Sequence, residues 1–344
     1  GLLQVAWENP YNNFRPEGHA IWAGFRSIVD DYEATHPDRD LMLVAEAYMN
    51  GRPDLVRRYV DEDQFHSAFA FDLLLTRWRR SDIEQALRDS FDIMEAGATP
   101  TFALNNHDVQ RIVTRLAHET ATQVPGDHEN MLDTWAAAGQ GTTEVGLRRA
   151  RAMAAFTMAL PGALYLYAGE ELGLPEVLDI PPDRREDPVF HMTGGERIGR
   201  DGCRIPLPWS DDPASAFGFS TVPDGERRAA EPWLPQPDWW GSVSMTEQDG
   251  DDTSTLELYR AALAARDEYA RPQALRVEFA DLGEGVVTIV RGDLVVVMNV
   301  TSQPIALDLD HPVLAITRPV LASEPVEMHT PGVIPPDSTI WFTS

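Results

Sequence analysis

The sequence predicts an α/β fold in which a parallel sheet gives way, from about residue 272, to an all-β domain. Three observations carry this expectation. Between 41 and 167, short apolar runs alternate with stretches of helical periodicity, the pattern of strand-helix units in a parallel sheet. Residues 175–252 lose periodicity and are rich in Pro, Gly, Asp and Trp, as in a long functional loop. After 272, β-branched runs such as "VVTIVRGDLVVVMNV" are separated by Gly-Asp and Ser-Gln-Pro turns, as in antiparallel strands. The domains expected are 1–271 and 272–344.

The elements follow in order. Ile21, Trp22, Phe25, Ile28, Val29 and Tyr32 recur at helical spacing over 19–35 until "HPDRD" breaks the pattern. The run "LMLVAEA" at 41–47 reads as a buried strand, and "HSAFAFDLLL" at 66–75 as another. Ser81 with Glu84 forms a capping box that opens a helix with Ile83, Leu87, Phe91 and Met94 on one face, ending at Gly97. Strand 101–105 follows. A helix over 143–160 ends at Pro161-Gly162 and leads into the strand of "ALYLYAGEELGL". Trp233, Trp239 and Trp240 argue that the long loop is ordered. A second capping box, Ser254 with Glu257, opens a helix that stops before Pro272.

Composition narrows the function. Hydrophobic residues make up 43% and charged residues 24% of the 344, so the chain has the material for a large core. The net charge of -27 repels phosphate backbones and anionic headgroups, which argues against nucleic-acid and membrane-surface partners. All the basic residues are Arg. A single cysteine, Cys203, excludes an internal disulfide and a multi-thiolate metal site, and is expected to be inert. With no apolar run of membrane-spanning length and no signal-peptide pattern at the start, a reducing, cytoplasmic location is expected.

Chemistry is expected at the strand ends. In parallel α/β folds the loops at the carboxyl ends of strands converge on one face. Glu46 interrupts the apolar run at 41–47, and strand 101–105 stops at Asn105, Asn106, His107, Asp108 and then Arg111. Two carboxylates on one rim fit acid/base work if their environments differ. Glu46, between Ala45 and Ala47, is expected to be desolvated and to hold a proton, whereas Asp108, fed by donors, stays ionised. Each also has a plainer reading: Glu46 as a solvated sheet edge, the Asn-Asn-His-Asp run as a helix cap, Glu170 and Glu171 as structural ion-pairing groups. Composition and spacing alone stop at a carboxylate-bearing hydrolytic or lyase-like pocket.

The segments "LMLVAEAY", "FAFDLLL", "FALNNHDVQRIVTR", "GALYLYAGEELGLPEV", "DPVF" and "GRDGCRIPLPW" occur in an order and spacing that resembles the alpha-amylase family of glycoside hydrolases (family 13). The likeness is strongest to its bacterial alpha-glucosidase and oligo-1,6-glucosidase branch. It implies the second half of a (β/α)8 TIM barrel followed by a β-sandwich, and cleavage of alpha-glucosidic bonds in small oligosaccharides with retention. On that resemblance Glu46 is the general acid/base and Asp108 the transition-state stabiliser. His107 and Arg111 bind substrate, and "GEELG" is mostly structural. No cofactor is implied, and no metal ligand is assigned, although calcium occurs in the family.

One departure stands out. A retaining glycosidase takes its nucleophile from a second carboxylate about 5 Å from the acid/base. The family places that Asp in a Gly-Phe-Arg-x-Asp-x-Ala-His stretch, which is missing here; "GFRSIVDD" at 24–31 belongs to a helix. "GLLQVAWENP" resembles the segment downstream of the missing motif, so the chain is expected to be a C-terminal fragment that does not turn over glucosides alone. A half barrel leaves two sheet edges open, which favours self-association. The other readings are a transglycosylating relative (a sucrose isomerase or trehalose-forming enzyme), an inactive fragment, and a non-catalytic amylase-like barrel.

Overall fold

The computed structural model describes residues 15–47, 52–95, 98–117, 143–273, 275–314, 318–324 and 332–344. The "GLLQVAWENP" start and the helix stop at Gly97 lie outside them. The described chain forms two compact units, one of residues 15–104 and 161–165, the other of residues 105–117, 143–160 and 166–344.

The first unit is a parallel sheet with helices. Strands β1 (Val44–Ala45), β2 (Ser67–Ala70), β3 (Thr99–Ala103) and β4 (Ala163–Tyr165) pair in sequence order, every pair parallel. The paired segments are shorter than the apolar runs: 41–43 and 71–75 lie outside the ladder, although Leu73 and Leu74 are buried. Helix α1 (Pro16–Thr35) precedes β1, a short α2 (Pro53–Val56) precedes β2, and α3 (Arg80–Glu95) packs on β3. Ile83 and Leu87 of α3 are fully buried, and Phe91 meets Phe102 edge to face, centroids 6.3 Å apart.

The capping box expected at Ser81 does not form. The helix begins upstream, with the Ile83 N–H donating to Arg79 O, so Ser81 lies inside the first turn and Glu84 pairs with Arg80 at 2.7 Å instead. The apolar stripe of α1 is present as a pattern but is not buried; Ile21, Phe25, Ile28 and Tyr32 are all exposed. What docks this helix is Arg26, whose guanidinium donates to Gln64 O at 3.0 Å, and the half-buried Trp22 of the stripe, which packs on Phe65.

In the second unit, α5 (Thr143–Met158) is buried without a break from Arg149 to Met158, because α4 (Ile112–Ala117), the C-terminal sheet and a later helix surround it. Gly146 permits the contact with α4, since a Cβ there would fall 2.0 Å from Val113 O. The stretch 175–252 is ordered, with short helical turns including α6 (Pro188–Met192) and α7 (Met245–Gln248). A core of Leu172, Leu174, Val177, Ile180, Ile205, Phe217, Leu234, Trp240 and Leu256 holds it. Of the three tryptophans expected to order it, Trp240 is buried whereas Trp233 and Trp239 are exposed. Helix α8 (Thr255–Ala265) is capped as expected on one side only, Ser254 Oγ accepting from the Glu257 N–H at 3.1 Å, and its last turn passes into a π-turn over 266–270.

The C-terminal strands are antiparallel. β5 (Glu278–Ala280), β6 (Val286–Arg291), β7 (Leu294–Asn299), β11 (Ser338–Thr343) and β9 (Arg318–Ala322) form one sheet in that spatial order; β8 (Ile305–Ala306) and β10 (Val333–Ile334) form a second. Gly292, at φ +57°, makes the two-residue β6–β7 turn that favours left-handed residues. Residues of both sheets share one core, including Val286, Val297, Ile340 and Ile334.

Candidate active site

The loop that leaves β3 is held from beneath by Asn105. Its buried Nδ2 donates to Glu170 Oε2 at 2.7 Å, and its Oδ1 accepts from the Ile112 N–H at 2.7 Å, opening α4. Asn106 Oδ1 accepts from the Asp108 N–H at 2.9 Å, an Asx turn that presents the next side chains outward. This is the helix-capping role weighed for the run, and it falls to Asn105; His107 and Asp108 remain free of it.

Asp108 is held through one oxygen. Arg200 Nη1 donates to Oδ1 at 2.8 Å and Arg204 Nη2 at 3.1 Å, and the exposed His107 ring lies 3.6 Å from the same atom. Among the described residues Oδ2 has no hydrogen-bond partner. The donors expected around Asp108 are therefore present, but they come from the "GRDGCR" segment. Arg204 also fixes the turn, its Nε donating to His107 O at 2.8 Å.

Arg111 sits differently. It is 2% exposed, Nη1 donates to Ala168 O at 3.0 Å, Nη2 to Cys203 O at 2.9 Å, and the guanidinium lies over the Tyr167 ring. Both terminal nitrogens are thus bonded to main chain. Cys203 is fully buried, and burial pushes its thiol well above the usual range.

Two further carboxyls support the loop from inside. Burial pushes Glu170 up to about 7, against the donors Asn105 and Tyr259, and pushes Glu176 up to about 7, against the Arg111 N–H it accepts at 2.9 Å. Asp187 goes the other way. Burial alone would raise it, yet the Arg200 guanidinium and the main-chain N–H groups of Val189 and Arg200 bring it down to about 2.

Glu46 follows the end of β1 in the first unit. The desolvation expected for it is not found: Glu46 is exposed while Ala45 and Ala47 are buried, because strand alternation turns the glutamate to the opposite face. Among the described residues no three His, Cys, Asp or Glu side chains are placed to share a metal ion, and no helix is long and apolar enough to cross a membrane.

Sequence reasoning missed Arg200, Arg204 and Asp187 as parts of the site, although "GRDGCR" and "DPVF" were visible as landmarks. Two Arg four residues apart in so acidic a chain are a signal. Their partner is not, since 92 residues separate Asp108 from Arg200.

The chain is 27% identical over 282 residues to a probable alpha-glucosidase of Rhizobium meliloti, covering 80% of this chain and 43% of that protein. It is 29% identical over 329 residues to the trehalose synthase/amylase TreS of Mycobacterium tuberculosis, covering 86% of this chain and 48% of that one. It spans about half the length of these curated relatives. Among solved structures, the alpha-glucosyl transfer enzyme XgtA superposes with a TM-score of 0.72 at 23% identity, over 97% of this chain and 55% of the other. The trehalulose synthase MutB superposes at 0.70 and 18%, over 96% and 60%. These likenesses identify the four parallel strands with part of a (β/α)8 barrel. Residues 6–275 match the alpha-amylase catalytic domain, and the chain belongs to the alpha-amylase family of glycoside hydrolases.

Proposed function

We propose that this chain provides the acid/base and sugar-binding part of a retaining alpha-glucosidase acting on small oligosaccharides. The observation that carries the proposal is the half-open Asp108: one carboxylate oxygen takes two guanidinium groups, and the other is left to accept hydrogen bonds from a sugar. A carboxylate fixed in this way suits a positively charged, oxocarbenium-like transition state, where fixed charge acts without reorganisation. His107, exposed beside it, supplies a further polar group for sugar hydroxyls. Arg111 acts from behind, clamping the loop through its main-chain bonds.

Glu46, at the carboxyl end of β1, is the general acid/base. It donates a proton to the glycosidic oxygen as the bond to the anomeric carbon breaks, then takes one from water in the second step. The intermediate forms on a carboxylate from a segment outside these 344 residues, so the isolated chain should be inactive. A transglycosylating enzyme is the second reading, favoured by relatives named for trehalose synthesis and glucosyl transfer. It differs only in whether water or a sugar attacks the intermediate.

The test joins the N-terminal half of the Rhizobium meliloti relative ahead of Gly1 and assays p-nitrophenyl α-glucoside. Turnover is expected, with Glu46→Gln and Asp108→Asn each reducing it about 10²- to 10⁴-fold. An active fusion indifferent to both changes refutes the assignment, as does turnover by the unfused chain that Glu46→Gln abolishes, since the nucleophile would then lie within it. Products from maltose, isomaltose and sucrose separate hydrolysis from transfer.

A further inference from the structure

We infer that Asp187 is a positioning residue for Asp108, acting through Arg200; the inference rests on the role proposed for Asp108. The Asp187 carboxylate grips one edge of the guanidinium, Oδ2 accepting from Arg200 Nε at 2.7 Å and Oδ1 from Nη2 at 3.3 Å. A planar guanidinium held by that edge has one direction left for Nη1, and Nη1 donates to Asp108 Oδ1 at 2.8 Å. Asp187 thereby chooses which oxygen of Asp108 is occupied and which is presented to the sugar.

The grip is itself built. The Asp187 side chain is 0% exposed against 28% for Arg200, so the inner member of the pair is the fixed one. Asp201 Oδ2 accepts from the Glu186 and Asp187 N–H groups at 3.0 and 3.1 Å, which pins the main chain beneath the carboxylate. The Arg200 N–H also donates to Asp187 Oδ2, at 2.8 Å. Gly199, at φ +70°, lies so close that a Cβ there would fall 2.8 Å from Asp187 Cβ. Helix capping does not account for this. Asp187 does cap α6 through Val189 N–H at 2.9 Å, but a five-residue helix with no buried side chain needs only a Ser or Asn there.

That difference supplies the experiment. Asp187→Asn keeps a good cap and loses the charge and one acceptor. In the active fusion, Asp187→Asn is expected to lower kcat about 10- to 100-fold with KM little changed, as displacement of a catalytic group does. In an Asp108→Asn background it should lower kcat no further, because both changes remove the same interaction. An equal loss in both backgrounds, or no loss in the first, overturns the inference; if Asp108→Asn alone is silent, it is the proposed function that fails. A second measurement needs no catalysis. In the 344-residue chain, the Asp108 carboxyl 13C resonance, assigned by its loss in Asp108→Asn, should shift in Asp187→Asn and stay in place in Asp212→Asn, a capping Asp elsewhere in the unit. An unshifted Asp108 resonance in Asp187→Asn also overturns it.

Discussion

Glu170 and Glu176 place two carboxyls inside the second unit, and burial pushes both up to about 7 from 4.5. A raised value means that the folded protein binds each proton more tightly than the unfolded chain does. Stability is then greatest below about 4.5 for these groups and falls as pH rises through about 7, by about 3 kcal/mol apiece at most. Glu170→Gln keeps the polar contacts to Asn105 and Tyr259 and removes the titration. Its unfolding free energy, measured in urea at about pH 5 and about pH 8, should fall less over that interval than the native chain's, and an unchanged slope counts against a buried proton. Gly199 offers a second test. Alanine there meets both a left-handed backbone and the Asp187 side chain, so a loss of about 1–3 kcal/mol is expected in the same denaturation experiment. At this scale the sequence was legible where a residue's role is local, as with Ser254 at its cap. It was not legible where burial is collective: nothing around Arg111 announces that its guanidinium lies among the main-chain carbonyls of residues 168 and 203.

Helix α5 and the sheet it meets depend on each other. From Arg149 to Met158 the helix leaves no face in water, and strand β11 bonds to it directly: Trp341 Nε1 donates to Ala155 O at 3.0 Å and Thr339 Oγ1 to Ala152 O at 2.8 Å. At its end, Arg266 and Arg291 donate to the carbonyls of Met158, Ala159 and Leu160, which the helix itself cannot satisfy. Trp341→Phe therefore removes ring volume and a buried donor together, and should cost about 2–4 kcal/mol in thermal or urea unfolding. A cost near zero would mean that the sheet does not brace the helix. The periodic pattern made α5 legible as a helix, but not its burial on every side from Arg149 to Met158, because spacing marks one apolar face and says nothing of what packs on the others. In α1 the converse holds: the apolar residues recur at helical spacing, yet Ile21, Phe25, Ile28 and Tyr32 are exposed. Ile28→Glu interrupts that stripe near its middle. If the exposed face drives association between copies, size-exclusion chromatography should show a shift of the variant toward the monomer, whereas an unchanged elution volume would acquit the helix.

At the level of the whole molecule the order of elements was the most legible feature, since strand-helix alternation and the later change to β-branched runs are both written locally in the chain. The lengths of the strands were not, because pairing depends on neighbours: Val44–Ala45 finds partners in β2 while the equally apolar Leu41 and Met42 do not. Net charge, by contrast, needs no structure to read. With 55 acidic against 28 basic residues, and several Arg drawn inside to bind carbonyls or carboxylates, the excess negative charge lies mainly on the surface. Like charges repel more strongly in the compact state than in the expanded one, and salt screens them over a Debye length of about 10 Å at 0.1 M. Buried contacts such as Arg149 with Asp337 and Arg200 with Asp187 are screened far less. Sodium chloride raised from about 0.02 M to about 0.5 M should therefore increase the thermal midpoint by several degrees, on the scale that about 1–2 kcal/mol produces in a chain of this length. A midpoint that falls with salt would mean that surface ion pairs outweigh the net repulsion, and that the charge balance of the chain stabilises its fold.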